Sequence, residues 1–245
     1  MTAILGLNAF HPDSSACLVV DGKLVAAIAE ERLGQRNKHT MAFPINAIKT
    51  VLSHGGVSLS DVTHLAIARS TSSNLLAKAR YTLGTPSIGI NAAIEFFKRQ
   101  TNTKDILENL SEQLGVDASQ VQYDTFFAEH HLAHIASSYF VSDLDKSAAL
   151  SYDGSGDFAS AMSAVCEGTK IDVIGKVCLP DSLGHFYSSM CQFIGFDLFG
   201  EEYKVMGLAP YGEDLFETEM NKILKIDSLK WFKLNKKMFQ THKGL

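Results

Sequence analysis

The chain has 245 residues, 46% hydrophobic and 20% charged, with a formal charge of −5. This is the composition of an ordinary globular protein, long enough for one large domain or two small ones around a sizeable core. The acidic balance, spread without long runs, argues against broad nucleic-acid binding. No stretch approaches ~18 continuous apolar residues, and no basic leader precedes an apolar run, which argues against a membrane span and a signal peptide.

Four cysteines (Cys17, Cys166, Cys178, Cys191) sit far apart with no Cys-x-x-Cys pair. Read together they are small core residues of a reducing compartment, so the cytoplasm is the expected location.

In chain order, Ala3 to Leu7 reads as a short buried strand. Ala16 to Val20 and Lys23 to Ala29 read as two more, joined by the hairpin signal Asp21-Gly22. Pro44 opens a helical pattern in which Ile45, Ile48, Val51 and Leu52 share a face, and Gly55-Gly56 ends it. His64 to Ala68 reads as a buried strand. Residues 72 to 115 read as mostly helix or loop, with helical patterns over Ala92 to Lys98 and Lys104 to Leu114. Val121 to Phe127 reads as a buried strand running straight into a helix of about His130 to Phe140.

A second strand-rich block begins near Ser147. Ala148 to Tyr152 leads into an expected turn, Asp153-Gly154-Ser155-Gly156-Asp157, and Ser160 to Cys166 and Ile171 to Val177 follow. A strand, a polar or glycine-containing turn and further strands therefore occur twice, from residues 3 and 148, a faint repeat of architecture. Helices are expected over Leu183 to Ile194 and Leu215 to Leu224. The basic end, Lys230 to Leu245, completes no pattern and reads like a cut within a domain.

His130 and His134 stand four apart, a spacing that stacks both imidazoles on one helix face. Two imidazoles there need a carboxylate to make a metal site, and Asp153 can supply it. His131 points about 100° away and is expected beside the site or at the surface, not as a third ligand. The glycines after Asp153 suit a backbone that approaches phosphate, or an ordinary hairpin. Asn8 to Ser15 can cradle a phosphate or serve as a plain connecting loop. Glu30-Glu31-Arg32 and Arg36-Asn37-Lys38-His39 read as a solvated charged face, or as anion donors. Lys204 between Gly200 and Gly207 suits a nucleotide contact, although no P-loop pattern is present.

As an ordered set these stretches resemble the amino-terminal domain of O-carbamoyltransferases of the nodulation-protein and antibiotic-biosynthesis type. The residues that carry the resemblance are Leu5-Gly6-Leu7-Asn8, His11 with Asp13-Ser14-Ser15-Ala16, Asp21-Gly22, Glu30-Glu31-Arg32 with Lys38-His39, and His130-His131-Leu132-Ala133-His134. Further along, Asp153 to Asp157, Ser182-Leu183-Gly184 with Phe186-Tyr187, and Lys204 to Gly212 complete it.

The resemblance implies an α/β fold of the actin, hexokinase and Hsp70 (ribonuclease H-like) type, duplicated, with its second half truncated. Residues 1–146 would form the first half and 147–245 the incomplete beginning of the second. It implies a divalent metal (Fe, Zn, Mn or Ni) on His130, His134 and Asp153, with a further aspartate supplied from later in the family's longer chains. It also implies carbamoyl transfer from carbamoyl-adenylate, made from ATP and carbamoyl phosphate by a carboxy-terminal activation domain or subunit, to a hydroxyl of a small molecule or sugar.

By the same resemblance His11 takes the acceptor proton and Lys38 steadies the carbamoyl oxygen. Gly154, Ser155, Gly156, Asp157, Lys204 and Gly207 hold the nucleotide. One departure is visible: the family often runs His-Asp directly, and here Pro12 intervenes. Two other readings stand beside this one: a metal- and nucleotide-binding fragment or partner subunit without turnover, and a protein of the related tRNA threonylcarbamoyl-transfer or hydrogenase-maturation type. A sugar kinase of the same superfold would leave both histidines unexplained.

Overall fold

Alternate residues of Ala3–Asn8 are buried, with Ala3, Leu5 and Leu7 pointing into one core. This two-residue period is that of a strand with one packed face, and Ala3–Asn8 (β1) is the central strand of a mixed sheet. The computed structural model describes residues 1–34, 38–84, 106, 108–115, 123–227, 231–235, 237 and 238. It divides into two units: Met1–Ser72 with Thr82–His130, and Ser73–Tyr81 with His131–Leu245.

In the first unit β2 (Ser15–Val20) pairs antiparallel with β1, and β3 (Lys23–Ala29) antiparallel with β2. Asp21 and Gly22 join them at φ 48° and 78°, the left-handed pair that a tight hairpin requires. The helix α1 (Ile45–Gly55) then carries the chain over to β4 (His64–Ile67), which lies parallel to β1 on its other side. A parallel return needs such a crossover. β5 (Asp124–Phe127) adds parallel to β4, giving the order β3-β2-β1-β4-β5.

Ala47, Ile48, Val51 and Leu52 of α1 are buried with Leu5, Leu18 and Leu65. Each valine, leucine or isoleucine side chain among them contributes about 1.5–3 kcal/mol on burial. Ile106 and Leu110, the latter on helical residues 108–114, belong to the same core. Gly56 closes α1 in the left-handed conformation at φ 60°, as its sequence signal predicts.

The second unit is built on an antiparallel meander, β6 (Lys146–Gly156), β7 (Ala159–Glu167) and β8 (Lys170–Cys178), with β7 central and almost wholly buried. Ile135 and Tyr139 of the histidine helix (His130–Tyr139) pack with Met162, Ala164 and Cys166 of β7. Further helices are Leu75–Gly84, Leu183–Phe193, Glu202–Leu208 and Glu217–Ile223. The α/β class expected from the resemblance is present, and the first sheet is mixed. No helix among the described residues is long and apolar enough to cross a membrane.

Several sequence expectations are corrected. The run Asp153 to Asp157 is not itself the turn. β6 continues through Gly156 with a register irregularity after Tyr152, and the turn is Asp157-Phe158 at φ 49° and 75°. β5 is not a buried strand: it lies at the sheet edge, with Phe126 58% and Phe127 51% exposed.

Within the end read as completing no pattern, Lys230 to Leu245, residues Trp231–Leu234 form a strand that pairs antiparallel with Leu224–Asp227 just before it. Its alternation is only four residues long on each side, and lysines obscure it. Phe232 packs with Ala161 and Val177, and the Leu234 amide donates to Asp181 Oδ1 at 2.9 Å. The helical pattern over Ala92 to Lys98, residues 104, 105 and 107 of the next, and residues 121 and 122 of the expected strand Val121 to Phe127 lie outside the described residues.

Candidate functional site

The parallel strands β1, β4 and β5 send their carboxy-terminal ends to one edge of the first sheet, the usual ligand edge of α/β folds. The loop of residues 9–14 leaves β1 there, and two residues separate the end of β5 from the start of the histidine helix. The consequence is concrete: the rings of His11 and His130, 119 positions apart in sequence, have centroids 5.5 Å apart. The loop is stapled by Asn8, whose Nδ2 donates to the Asp13 carbonyl at 2.9 Å.

A second loop is tied to this one. The Ser14 amide donates to the Thr40 carbonyl at 3.0 Å, and His39 Nδ1 lies 2.9 Å from Asp13 Oδ1. Glu31 Oε2 accepts the His39 amide at 2.9 Å, with His39 at φ 56°. Lys38, beside this anchored residue, is exposed. Asp13, Glu31 and His39 bring their donor atoms within 4.8 Å of one another.

Glu30, read as part of a solvated charged face, does something else. Its carboxylate accepts the amides of Asn46 at 3.2 Å and Ala47 at 2.7 Å. These are orphan N–H groups of the first turn of α1, whose own N-cap residue, Pro44, has no side-chain donor or acceptor to offer them.

His130 and His134 occupy successive turns of one helix, as their spacing predicts. Asp153 comes from β6. Ligand atoms of all three lie within 4.8 Å of one another, and His134 Nε2 is 3.6 Å from Asp153 Oδ2. The other carboxylate oxygen, Oδ1, accepts the Gly154 amide at 2.6 Å, which orients the group. The donor set fits a divalent ion: bonds of ~2.1 Å need ligand atoms about 3.3 Å apart, and a half-exposed imidazole can rotate to close that gap.

Sequence reading missed the wall behind Asp153. The helix Leu183–Phe193 is capped by fully buried Ser182, whose Oγ accepts the His185 amide at 3.0 Å and donates to the Gly154 carbonyl at 2.6 Å. His185 packs its ring on Gly154; a Cβ there would lie 3.3 Å from His185 Cε1. Burial pushes the His185 imidazole below the ordinary range, and the Asp153 charge pulls partly back. A Ser three residues before a His, ahead of an apolar run, was the available cap signal. His131 is fully buried, with Nδ1 2.8 Å from Ser151 Oγ.

The expected nucleotide residues are divided. Ser155 and Gly156 lie in β6, with Asp157 at the turn. The Lys204 ammonium pairs with Glu201 and lies over the Phe196 ring, 5.2 Å from its centroid. The hydrogen bond it donates to the Glu201 carboxylate holds the lysine pKa above its ordinary value, so it stays charged. Gly207 lies within the helix Glu202–Leu208, and a Cβ there would meet nothing within 4 Å.

A sequence profile described as the carbamoyltransferase N-terminus matches residues 3–245. The chain belongs to that family. Carbamoyltransferase N-terminal regions are thus what its histidine helix and β6 aspartate are to be compared with. The nodulation protein NolNO of Sinorhizobium fredii is 36% identical over 220 residues, covering 86% of this chain and 30% of that protein. An uncharacterized protein of Synechocystis, sll1178, is 32% identical over the whole chain and 40% of its own length. The chain therefore spans 30–40% of the length of these two relatives.

Among solved structures, YeaZ from Pseudomonas aeruginosa is 16% identical with a TM-score of 0.36, over 74% of this chain and 68% of that one. A putative N-acetylglucosamine kinase from Porphyromonas gingivalis is 11% identical with a TM-score of 0.35, over 91% and 65%.

Proposed function

We propose that this carbamoyltransferase N-terminal region transfers a carbamoyl group from carbamoyl-adenylate to a hydroxyl of a small molecule or sugar. The observation that carries the reading is the approach of His11 to His130, in a family member whose His130, His134 and Asp153 donors converge. An imidazole, a side chain able to accept and pass on a proton, then stands beside the first residue of the ligand helix.

In this reading His130, His134 and Asp153 hold a divalent metal, which when bound supplies positive charge toward phosphate oxygens. The acceptor hydroxyl loses its proton to His11 as its oxygen bonds the carbamoyl carbon. The carbon–oxygen bond to AMP breaks, and AMP leaves with the electron pair. Lys38 donates to the carbamoyl oxygen as charge develops there. Gly154 to Asp157, Lys204 and Gly207 hold the nucleotide.

Residues 147–245 are the beginning of the second half of a duplicated fold. This is supported by the antiparallel meander β6-β7-β8, which repeats the arrangement of β1-β2-β3. Carbamoyl phosphate and ATP are used by a carboxy-terminal activation domain, in keeping with relatives more than twice as long. Cysteines held as thiols suit a reducing cytoplasm.

Supplying synthetic carbamoyl-adenylate and a panel of sugar acceptors tests transfer without the activation step. The expected result is a carbamoylated acceptor with stoichiometric AMP, lost in His11→Ala. Metal binding without any transfer would overturn the catalytic reading and leave a binding fragment.

A further inference from the structure

The helix His130–Tyr139 and strand β6 are joined by two cross-links in the same direction. His134 faces Asp153, with Nε2 3.6 Å from Oδ2, at the half-exposed end. Three residues back on the helix and two back on the strand, His131 Nδ1 is 2.8 Å from Ser151 Oγ. His131 is 0% exposed and Ser151 7%.

The inner pair interrupts an otherwise apolar contact made by Ile135, Tyr139 and Met162. Burying an imidazole and a hydroxyl there is costly unless they bond each other, and a pair of apolar groups of similar volume would serve stability as well or better. Apolar packing is also non-directional, so it tolerates small slides and rotations of the helix on the sheet. A hydrogen bond of this length does not. The rings of His131 and His134 lie 6.2 Å apart, so whatever fixes the first fixes the neighbourhood of the second.

We propose that His131 and Ser151 are positioning residues: their buried bond sets the register of the histidine helix on β6 and so holds His130 and His134 at the right distance from Asp153 for one metal ion. This rests on the metal reading above. It makes specific, for His131, the place beside the site that its spacing allowed, and it assigns Ser151 a role that neither spacing nor resemblance gave.

The test uses Co²⁺ alone, titrated into metal-free protein and followed by its visible d–d absorption, with folding monitored by circular dichroism and thermal melting. Two variants are compared: Ser151→Ala, and the double variant His131→Phe with Ser151→Ala, which removes both polar groups at similar volume. The double variant is expected to melt close to or above the parent, yet to bind Co²⁺ roughly 10–100-fold more weakly with an altered absorption band. Ser151→Thr, which keeps the hydroxyl, restores affinity to within about threefold of the parent on the same scale.

A folded double variant with unchanged affinity and spectrum overturns the proposal. So does a double variant that cannot fold, because the pair would then serve stability and not ligand geometry. The metal reading fails separately, through a parent protein that binds no Co²⁺ or whose binding is untouched by His134→Ala.

Discussion

Gly184 presses against Asp153: a Cβ built on Gly184 would lie 2.6 Å from both the carbonyl carbon and the carbonyl oxygen of Asp153, and 2.5 Å from the Gly154 nitrogen. These atoms are backbone and cannot swing aside. Gly184→Ala must therefore displace either the helix Leu183–Phe193 or the strand that presents the candidate ligand. The expected cost is about 1–3 kcal/mol, as for other overpacked sites. A lower urea midpoint at an unchanged denaturant slope checks it, together with weaker metal binding.

Metal content gives the most direct view of the histidine pair. His130→Ala and His134→Ala each remove one donor from a set of three. Since loss of an outer partner alone weakens metal sites by roughly 10–100-fold, loss of a ligand is expected to exceed that. Elemental analysis after equilibrium dialysis reads it. Retention of full occupancy by both variants would sink the assignment.

Glu30→Ala is expected to destabilise the first unit by about 1–2 kcal/mol, the range for a lost helix cap. The carboxylate takes two amides and the Asn46 side chain at the start of α1. Glu30→Gln retains an acceptor oxygen and loses less. Chemical denaturation of both variants against the parent orders the three. An unaltered Glu30→Ala midpoint would refute the cap.

Asp61 provides a pH marker in the first unit. Its carboxyl is held below the usual range first by the Ser58 hydroxyl and then by the Ser58 amide, 2.9 Å away. The folded pKa is depressed, so the folded state binds fewer protons than the unfolded state in this window. The stabilisation is present above the unfolded value of 3.8 and is lost as pH falls through the lower folded value. Ser58→Ala is expected to move the Asp61 titration, followed by carboxyl carbon NMR, back toward the ordinary value. No movement would dissociate the two residues.

Much of the local structure was legible before any coordinates. Asp21-Gly22 announced its hairpin, Gly56 its helix end, and the spacing of His130 and His134 their shared helix face, because each depends on backbone preferences of a few adjacent residues. The order of motifs also led to the correct family. The pairing of Leu224–Asp227 with Trp231–Leu234 is not legible in the sequence because each strand is too short for its alternation to stand out among lysines. The turn was placed too early because strand β6 runs on through two glycines that usually break strands; Gly154 lies instead where the His185 ring needs room.

By itself, then, the sequence determined which neighbours share a helix face or a turn, since 3.6-residue and two-residue periods are properties of the chain alone. The tertiary structure decided what those residues meet. His11 comes beside His130 only because β1 and β5 run parallel and end at one sheet edge. Glu30 becomes a cap only because α1 begins beside it, and Gly184 must be glycine only because Asp153 backs onto it. Contacts between residues far apart in the chain depend on strand order and close packing, and no local period encodes them.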